Sequence, residues 1–346
     1  MKQKFYFVVS KIPPEGLENS NPDFPSKVDG AVGSENAHLW GTHEWNWLIQ
    51  TFLQTKAAGL DVALVDKPVA NAICITHFVT TKDKVWGKDS FIVGIRSDTP
   101  PIRMKEFEIV QSPAVLSGKN AAFINHWPQS KLFPRNTARR NRVETISYFG
   151  GQGGLSPDFY SEHFQTSLRQ LGVSLNLNFQ PSSWGNYDST DLVLAVRHHH
   201  HPTLIKTKPA SKLINSWQAG CVALLGREPA YRAVGTPGQN YFEIETPQDA
   251  LETIAKLREH SGLYESVRKA GIDKYREYSF QALQQQWVEL LTGPITEAFI
   301  QWQNKNEPKL KKYAIRYCQA AQQWIDHKLF SLPIRATEFL EHMKHS

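Results

Sequence analysis

The sequence predicts an α/β protein of two Rossmann-like domains followed by a helical C-terminal segment. Three observations predict it. Short apolar, β-branched runs alternate with stretches of helical periodicity in both halves of the chain. A polar, basic, proline-containing stretch at 130–142 separates the halves. From Tyr264 onward the pattern is helical almost throughout.

The chain has 346 residues, too many for one ordinary domain and suited to two of about 150 each. Hydrophobic residues make up 40% and charged residues 21%, a balance that excludes a disordered chain. Cys74, Cys221 and Cys318 are odd in number and far apart, so a reducing, cytoplasmic compartment is expected rather than a disulfide framework. The apolar opening is cut short by Pro13, Pro14 and Glu15 and reads as a first strand, not a signal peptide. No apolar run is long enough for a transmembrane helix. A net charge of +6 and a pI near 9.0 favour anionic partners (nucleotide phosphates, nucleic acid or an anionic membrane face), although in a chain this long so mild a balance is expected chiefly to keep the protein soluble.

In the first half, Lys4 to Ser10 reads as a buried strand. The stretch THEWNWLIQTFLQTKAAG reads as a helix. Thr42 is its expected cap, Trp45, Leu48, Ile49, Phe52 and Leu53 its apolar stripe, and Gly59 its stop. Strand-like runs follow in LDVALVDKP, NAICITHFVT, DSFIVGIRS, EFEIVQS and AAFINHW. In the second half, VETISYFG, VSLNLNF, DLVLAVR and CVALLG read as strands. Helices are expected around Phe159, Phe164 and Leu168, in SKLINSWQAG and in PQDALETIAKLREH. The resulting domains are 1–135, 143–291 and a helical 292–346 packing across both. In that tail Tyr313, Tyr317, Ala321 and Trp324 recur at helical spacing.

Several residues point to an anion. Ser211 is placed to cap a helix with Lys212 in its first turn. A cation there opposes the helix dipole unless an anion docks at that end. The glycine-rich turn GGQGG, which includes Gly151, Gly153 and Gly154, is neither a Walker A loop nor a G-x-G-x-x-G fingerprint, and resembles the loop that opens the second domain of GT-B folds, which implies a backbone that approaches donor phosphates. Arg197 ends a buried strand shortly before Lys206 and Lys212, and its planar fork suits phosphate oxygens.

The segment from Lys206 to Gln248 combines a Lys-Leu-(x)6-Gly helix, an apolar strand, a polar loop, and a strand before a helix with Pro-x-Asp-Ala. This order resembles the donor half of GT-B glycosyltransferases, with a family 4-like donor-binding domain, over about Val143 to Leu291. The resemblance implies two Rossmann-like domains facing a cleft. It implies transfer of a sugar from a nucleotide-diphosphate sugar, the donor substrate, to an acceptor hydroxyl, with no separate cofactor. Lys212 would contact the diphosphate. Asn215 falls where many members carry a ribose-binding Glu, and Glu228 and Tyr231 would line the donor sugar or its phosphates.

No Asp-x-Asp motif is present, so a metal-independent mechanism without metal ligands is expected. An inverting transferase needs a base for the acceptor hydroxyl, and His43, Glu44 and Asp66 are the candidates. Trp40 is a candidate for stacking on an acceptor sugar, whereas Trp45 is expected in the core. Four consecutive histidines, His198 to His201, cannot all reach one ion from an extended segment and are expected in a loop at the cleft mouth. The basic run from Lys131 to Arg142 lacks nucleic-acid motifs and reads as a solvated linker. Peripheral contact with a membrane carrying a lipid-linked acceptor is its alternative role. The rival functions are a sugar-nucleotide epimerase and a non-catalytic nucleotide-sugar-binding protein.

Overall fold

The structure, a computed structural model, describes residues 3–13, 42–81, 87–129, 132–197, 202–305 and 308–345. Trp40 and His198 to His201 lie outside them. The chain divides into two compact units. Of the described residues, one gathers those in 3–13, 42–124 and 284–345, and the other those in 125–283.

The first unit is built on six parallel strands: β1 (Lys4–Val8), β2 (Asp61–Val65), β3 (Ile73–His77), β4 (Phe91–Arg96), β5 (Phe107–Val110) and β6 (Ala121–Phe123). Their order is β2-β1-β3-β4-β5-β6, so every strand read from the sequence is present. Every residue of β3, β4 and β5 is buried, as expected of strands covered on both faces. Helix α1 (Gln50–Ala57) is preceded by a π-helical turn, Trp45–Ile49, and followed by Gly59 at φ +82°. The Thr42 hydroxyl accepts the Trp45 amide at 3.5 Å, a long capping bond. Leu48, Ile49, Phe52 and Leu53 are buried as expected and Trp47 joins them at 1% exposure, whereas Trp45, expected in the core, is only half-buried. A short helix, α2 (Phe78–Thr81), follows β3 directly.

The second unit has five parallel strands: β7 (Thr145–Phe149), β8 (Ser174–Asn178), β9 (Leu192–Ala195), β10 (Val222–Leu225) and β11 (Phe242–Glu243), in the order β11-β10-β9-β7-β8. Its helices are α3 (Glu162–Gln170), α4 (Pro202–Thr207), α5 (Ser211–Ala219), α6 (Pro229–Val234), α7 (Pro247–Glu259) and α8 (Ser261–Tyr275). Ile146, Leu192, Leu194, Val222 and Leu224 of the sheet pack with Phe164, Leu168, Ile254 and Val267 of the helices. Helix α3 starts at Glu162 because Ser161 caps it, and the residues around Phe159 form a separate 3-10 turn. Helices α4 and α6, six residues each, are too short to show a periodicity and were not expected. Helix α7 opens on a reciprocal capping box between Thr246 and Asp249.

One expectation fails here and another holds in part. Ser211 does not cap α5: the cap position is Ala210 and no side chain bonds the first amides. The basic stretch is solvated over most of its described length, but two of its arginines turn inward. Arg135, 6% exposed, and Arg139 both grip the buried Asp191, at 2.7 Å and 2.6 Å. The same carboxylate accepts the amides of Glu144 and Thr145. Burial alone would raise the Asp191 pKa, but Arg139, the backbone donors and Arg135 together hold it below the usual carboxylate value. A stretch rich in arginine reads as solvated until its carboxylate partner is known, and Asp191 lies about 50 positions away.

The chain returns to the first unit within α9 (Phe280–Leu290), followed by α10 (Thr296–Gln303) and α11 (Lys309–His345). The contacts that anchor α11 lie in the first unit. Tyr313 donates to Asp89 at 3.0 Å, Arg316 pairs with Glu106, and Asp326 pairs with Arg103. Tyr317 and Trp324 lie on its exposed side, at 54% and 57% exposure. Among the described residues no helix is long and apolar enough to cross a membrane.

Candidate functional site

In the second sheet the strand order reverses at β7, which has β8 on one side and β9 on the other. Ligands of open α/β sheets sit outside the carboxyl ends of the strands at such a switch point. Gly150 follows β7 there, and Arg197 follows β9. Helix α5 brings Lys212 to the same place, because Leu213, Ile214 and Trp217 bury its other face.

The Lys212 ammonium donates to the Phe149 carbonyl and lies 5.0 Å from the centre of the Tyr148 ring. Burial, followed by the like charge of Arg197, draws its pKa down to about 7, with Glu228 opposing and Lys208 adding to the fall. Arg197 Nε bonds Glu228 Oε1 at 2.9 Å. Burial disfavours the guanidinium charge, but the carboxylate outweighs it and holds the pKa above the ordinary arginine value. Glu228 is 2% exposed, and its Oε2 has no hydrogen-bond partner among the described residues. Tyr231, one turn into α6, is fully buried beside this pair. Burial and the Glu228 carboxylate push its phenol above the ordinary range.

The glycines divide by role. A Cβ at Gly150 would lie 2.7 Å from Tyr148 Oη and 2.8 Å from Lys212 Nζ, and Gly150 holds φ +153°. A Cβ at Gly154 would meet Tyr148 Oη at 2.5 Å. At Gly151 and Gly153 a Cβ would meet nothing within 4 Å. Gly150, the first residue of the GGQGG turn and not one of the glycines singled out as a site residue, is thus the residue whose missing side chain makes room for Lys212. The Tyr148 hydroxyl donates to the Gly151 carbonyl at 2.8 Å and steadies the turn.

Other expected residues are placed differently. Lys206 is exposed in the last turn of α4, and Lys208 is the lysine whose charge reaches Lys212. Asn215 lies one turn after Lys212, with its amide engaged by Gln129. Its Oδ1 accepts the Gln129 amide at 3.3 Å and its Nδ2 donates to Gln129 Oε1 at 3.0 Å.

In the first sheet the order reverses between β1 and β3, and a second polar cluster gathers at those carboxyl ends. His77, the last residue of β3, is buried. Its Nδ1 accepts the Val79 amide at 3.1 Å, so the proton sits on Nε2, 2.8 Å from Ser97 Oγ. Ser97 then offers its own proton to His43 Nδ1 at 3.2 Å, and His43 Nε2 faces Asp98 at 3.6 Å. The two imidazoles stack with centres 5.3 Å apart. Burial, followed by the charge of His43, draws the His77 pKa down to about 3, so it stays neutral. His43 is exposed and can meet a substrate.

Glu44 instead ties down the chain after β1, accepting both the amide and the hydroxyl of Ser10. Asp66 is exposed at the end of the edge strand β2 and forms no hydrogen bond or ion pair among the described residues. The sequence reading missed Ser97, Asp98 and His77, because their relation to His43 spans more than 30 positions and leaves no local pattern. Among the described residues no group of three or more His, Cys, Asp or Glu side chains is placed to hold a metal ion.

No known family profile and no curated protein matches this chain. Solved structures do match in fold. Anabaena HepE in complex with UDP superposes with a TM-score of 0.51 at 12% identity, over 84% of this chain and 100% of that one. AviGT4, a glycosyltransferase involved in avilamycin A biosynthesis, gives 0.53 at 11% identity, over 86% of this chain and 99% of that one. TarM gives 0.47 at 10% identity over 65% of this chain, which spans only 55% of TarM's length. This chain carries the two-domain α/β fold of the GT-B glycosyltransferases.

Proposed function

We propose that the chain transfers a sugar from a nucleotide-diphosphate sugar to an acceptor hydroxyl, without a metal ion. The observation that carries this reading is the convergence of Lys212, Arg197 and the Gly150–Gly154 turn at the switch point of the second sheet. Lys212 and free backbone amides offset the diphosphate, whose charge grows as the glycosidic bond breaks. The unpartnered Glu228 Oε2 supports a hydroxyl-bearing ligand, since a buried carboxylate oxygen calls for a donor. Of the three base candidates, His43 has the best-supported geometry: its lone pair lies on Nδ1, where the acceptor hydroxyl takes the place of the Ser97 hydroxyl, and Asp98 beside Nε2 offsets the imidazolium formed on taking the acceptor proton.

The test is a thermal-shift panel of UDP, GDP, ADP and CMP sugars on the wild type and on Lys212→Ala. One donor class should raise the melting temperature of the wild type. In Lys212→Ala, affinity for the matching nucleoside diphosphate should fall more than about ten-fold. Hydrolysis or transfer of the sugar, followed by product NMR, separates a transferase from a non-catalytic binder. Release of an altered sugar nucleotide without any acceptor would mark an epimerase instead. No shift with any of the four classes would overturn the reading.

A further inference from the structure

Helix α5 presents Lys212 at its first turn and ends at Gly220, φ +73°, on the amino-terminal side of the sheet. A cavity of about 280 Å³ opens at that end. Trp217, Ile272 and Tyr275 line it with apolar and aromatic surface, and Arg135, Arg140 and Arg268 contribute the charge. It lies just below the usual range for small-molecule pockets, about 300–1,000 Å³. That is room for one ring and a short acidic arm, and too little for a nucleotide sugar.

The arginines decide which ligand fits. Arg135 and Arg139 are committed to Asp191, Arg142 lies 4.0 Å from Glu144, and Arg268 is forked on Glu265 at 2.9 Å and 2.8 Å. Arg140 is exposed and has no carboxylate partner among the described residues. It also stands at φ +45°, ψ −125°, a region held almost only by glycine. The chain must reverse there, between Arg139 and the Glu144 amide, which Asp191 clamps together. Glycine would make that reversal without strain, and a strained residue calls for a compensating role.

We propose that this cavity binds a small organic anion, with an apolar ring against Trp217, Ile272 and Tyr275 and its acid group on Arg140. The anion is a carboxylate or a phosphate monoester, since a guanidinium fork takes either. The site goes beyond the glycosyl-transfer reading and does not depend on it.

The experiment is ligand-observed saturation-transfer NMR with calorimetry on the full chain, using indole-3-acetate and phenyl phosphate as probes. At least one probe should bind the wild type, and the preferred one distinguishes carboxylate from phosphate. Arg140→Ala should weaken it about ten-fold or more, and Arg140→Lys should weaken it less than Ala but measurably, since an ammonium keeps the charge and loses the fork. Arg142→Ala and Lys212→Ala should leave it unchanged, and neutral indole-3-acetamide should bind far more weakly than the acetate. Arg140→Gly should lose the probe while its melting temperature rises, which separates lost binding from misfolding. Absence of saturation transfer for both probes at millimolar concentration would overturn the proposal. So would unchanged affinity in Arg140→Ala, or displacement of the probe by UDP.

Discussion

Arg197 Nε and Glu228 Oε1 meet at 2.9 Å from the loops that end two adjacent parallel strands, β9 and β10. Both side chains are largely withdrawn from water. Cutting such a pair leaves the other charge stranded. Glu228→Ala should therefore cost about 3–5 kcal/mol in urea unfolding. A loss below about 1 kcal/mol would mean that the pair behaves as a solvent-screened surface bridge.

Lys212 makes anion binding depend on pH. Its pKa of about 7, set by burial and then by Arg197, leaves the free site partly uncharged at neutral pH. A diphosphate prefers the ammonium. Affinity for a nucleoside diphosphate should fall as pH rises through about 7, and calorimetry in buffers of different ionisation enthalpy should detect proton uptake. Lys212→Met should flatten that profile. Stability moves the other way. The unfolded lysine keeps its proton to about 10.5, so the unfolded chain binds more protons between 7 and 10.5, and stability rises with pH across that window. Lys212→Met should remove the rise.

His77 gives an acid-side signature. Burial and then the charge of His43 lower its pKa from 6.5 to about 3. Between those values the unfolded state takes up a proton that the native state refuses, so stability is lost as pH falls from 6.5 towards 3. His77→Asn should reduce the slope of melting temperature against pH by about one proton in that interval. An unchanged slope would mean that His77 is protonated in the native state.

His43 and Asp98 can be tested once a donor is known. His43→Gln should lower kcat by about 10²–10⁴ with donor affinity unchanged, because a base acts on the acceptor proton alone. Asp98→Asn should lower kcat less, again with donor affinity unchanged. Equal losses in KM and kcat for both variants would assign the pair to folding.

Much of the fold was legible in the residues. Strands such as ICITH, FIVGIR and VALL are buried on both faces, so their apolar runs are continuous and bounded by polar turns. Lys212 could be singled out because helix, strand and glycine stop stand close together in the chain around it. Gly150 could not be told apart from its neighbours. What sets it apart is the approach of a lysine 62 positions later.

Local order along the chain thus determined the strands, the main helices and the lysine-bearing turn, because each depends on neighbours within about one helical turn or one strand. The tertiary structure alone decided that Arg135 and Arg139 serve Asp191, that Glu44 anchors Ser10, and that His43 joins Ser97 and Asp98. It also decided which glycines clear room for a charge and which arginine of residues 135–142 has no carboxylate partner among the described residues. Hydrogen bonds and ion pairs act over about 3–4 Å of space whatever the separation in sequence, so a side chain's partner stays undetermined until the sheet brings the two together.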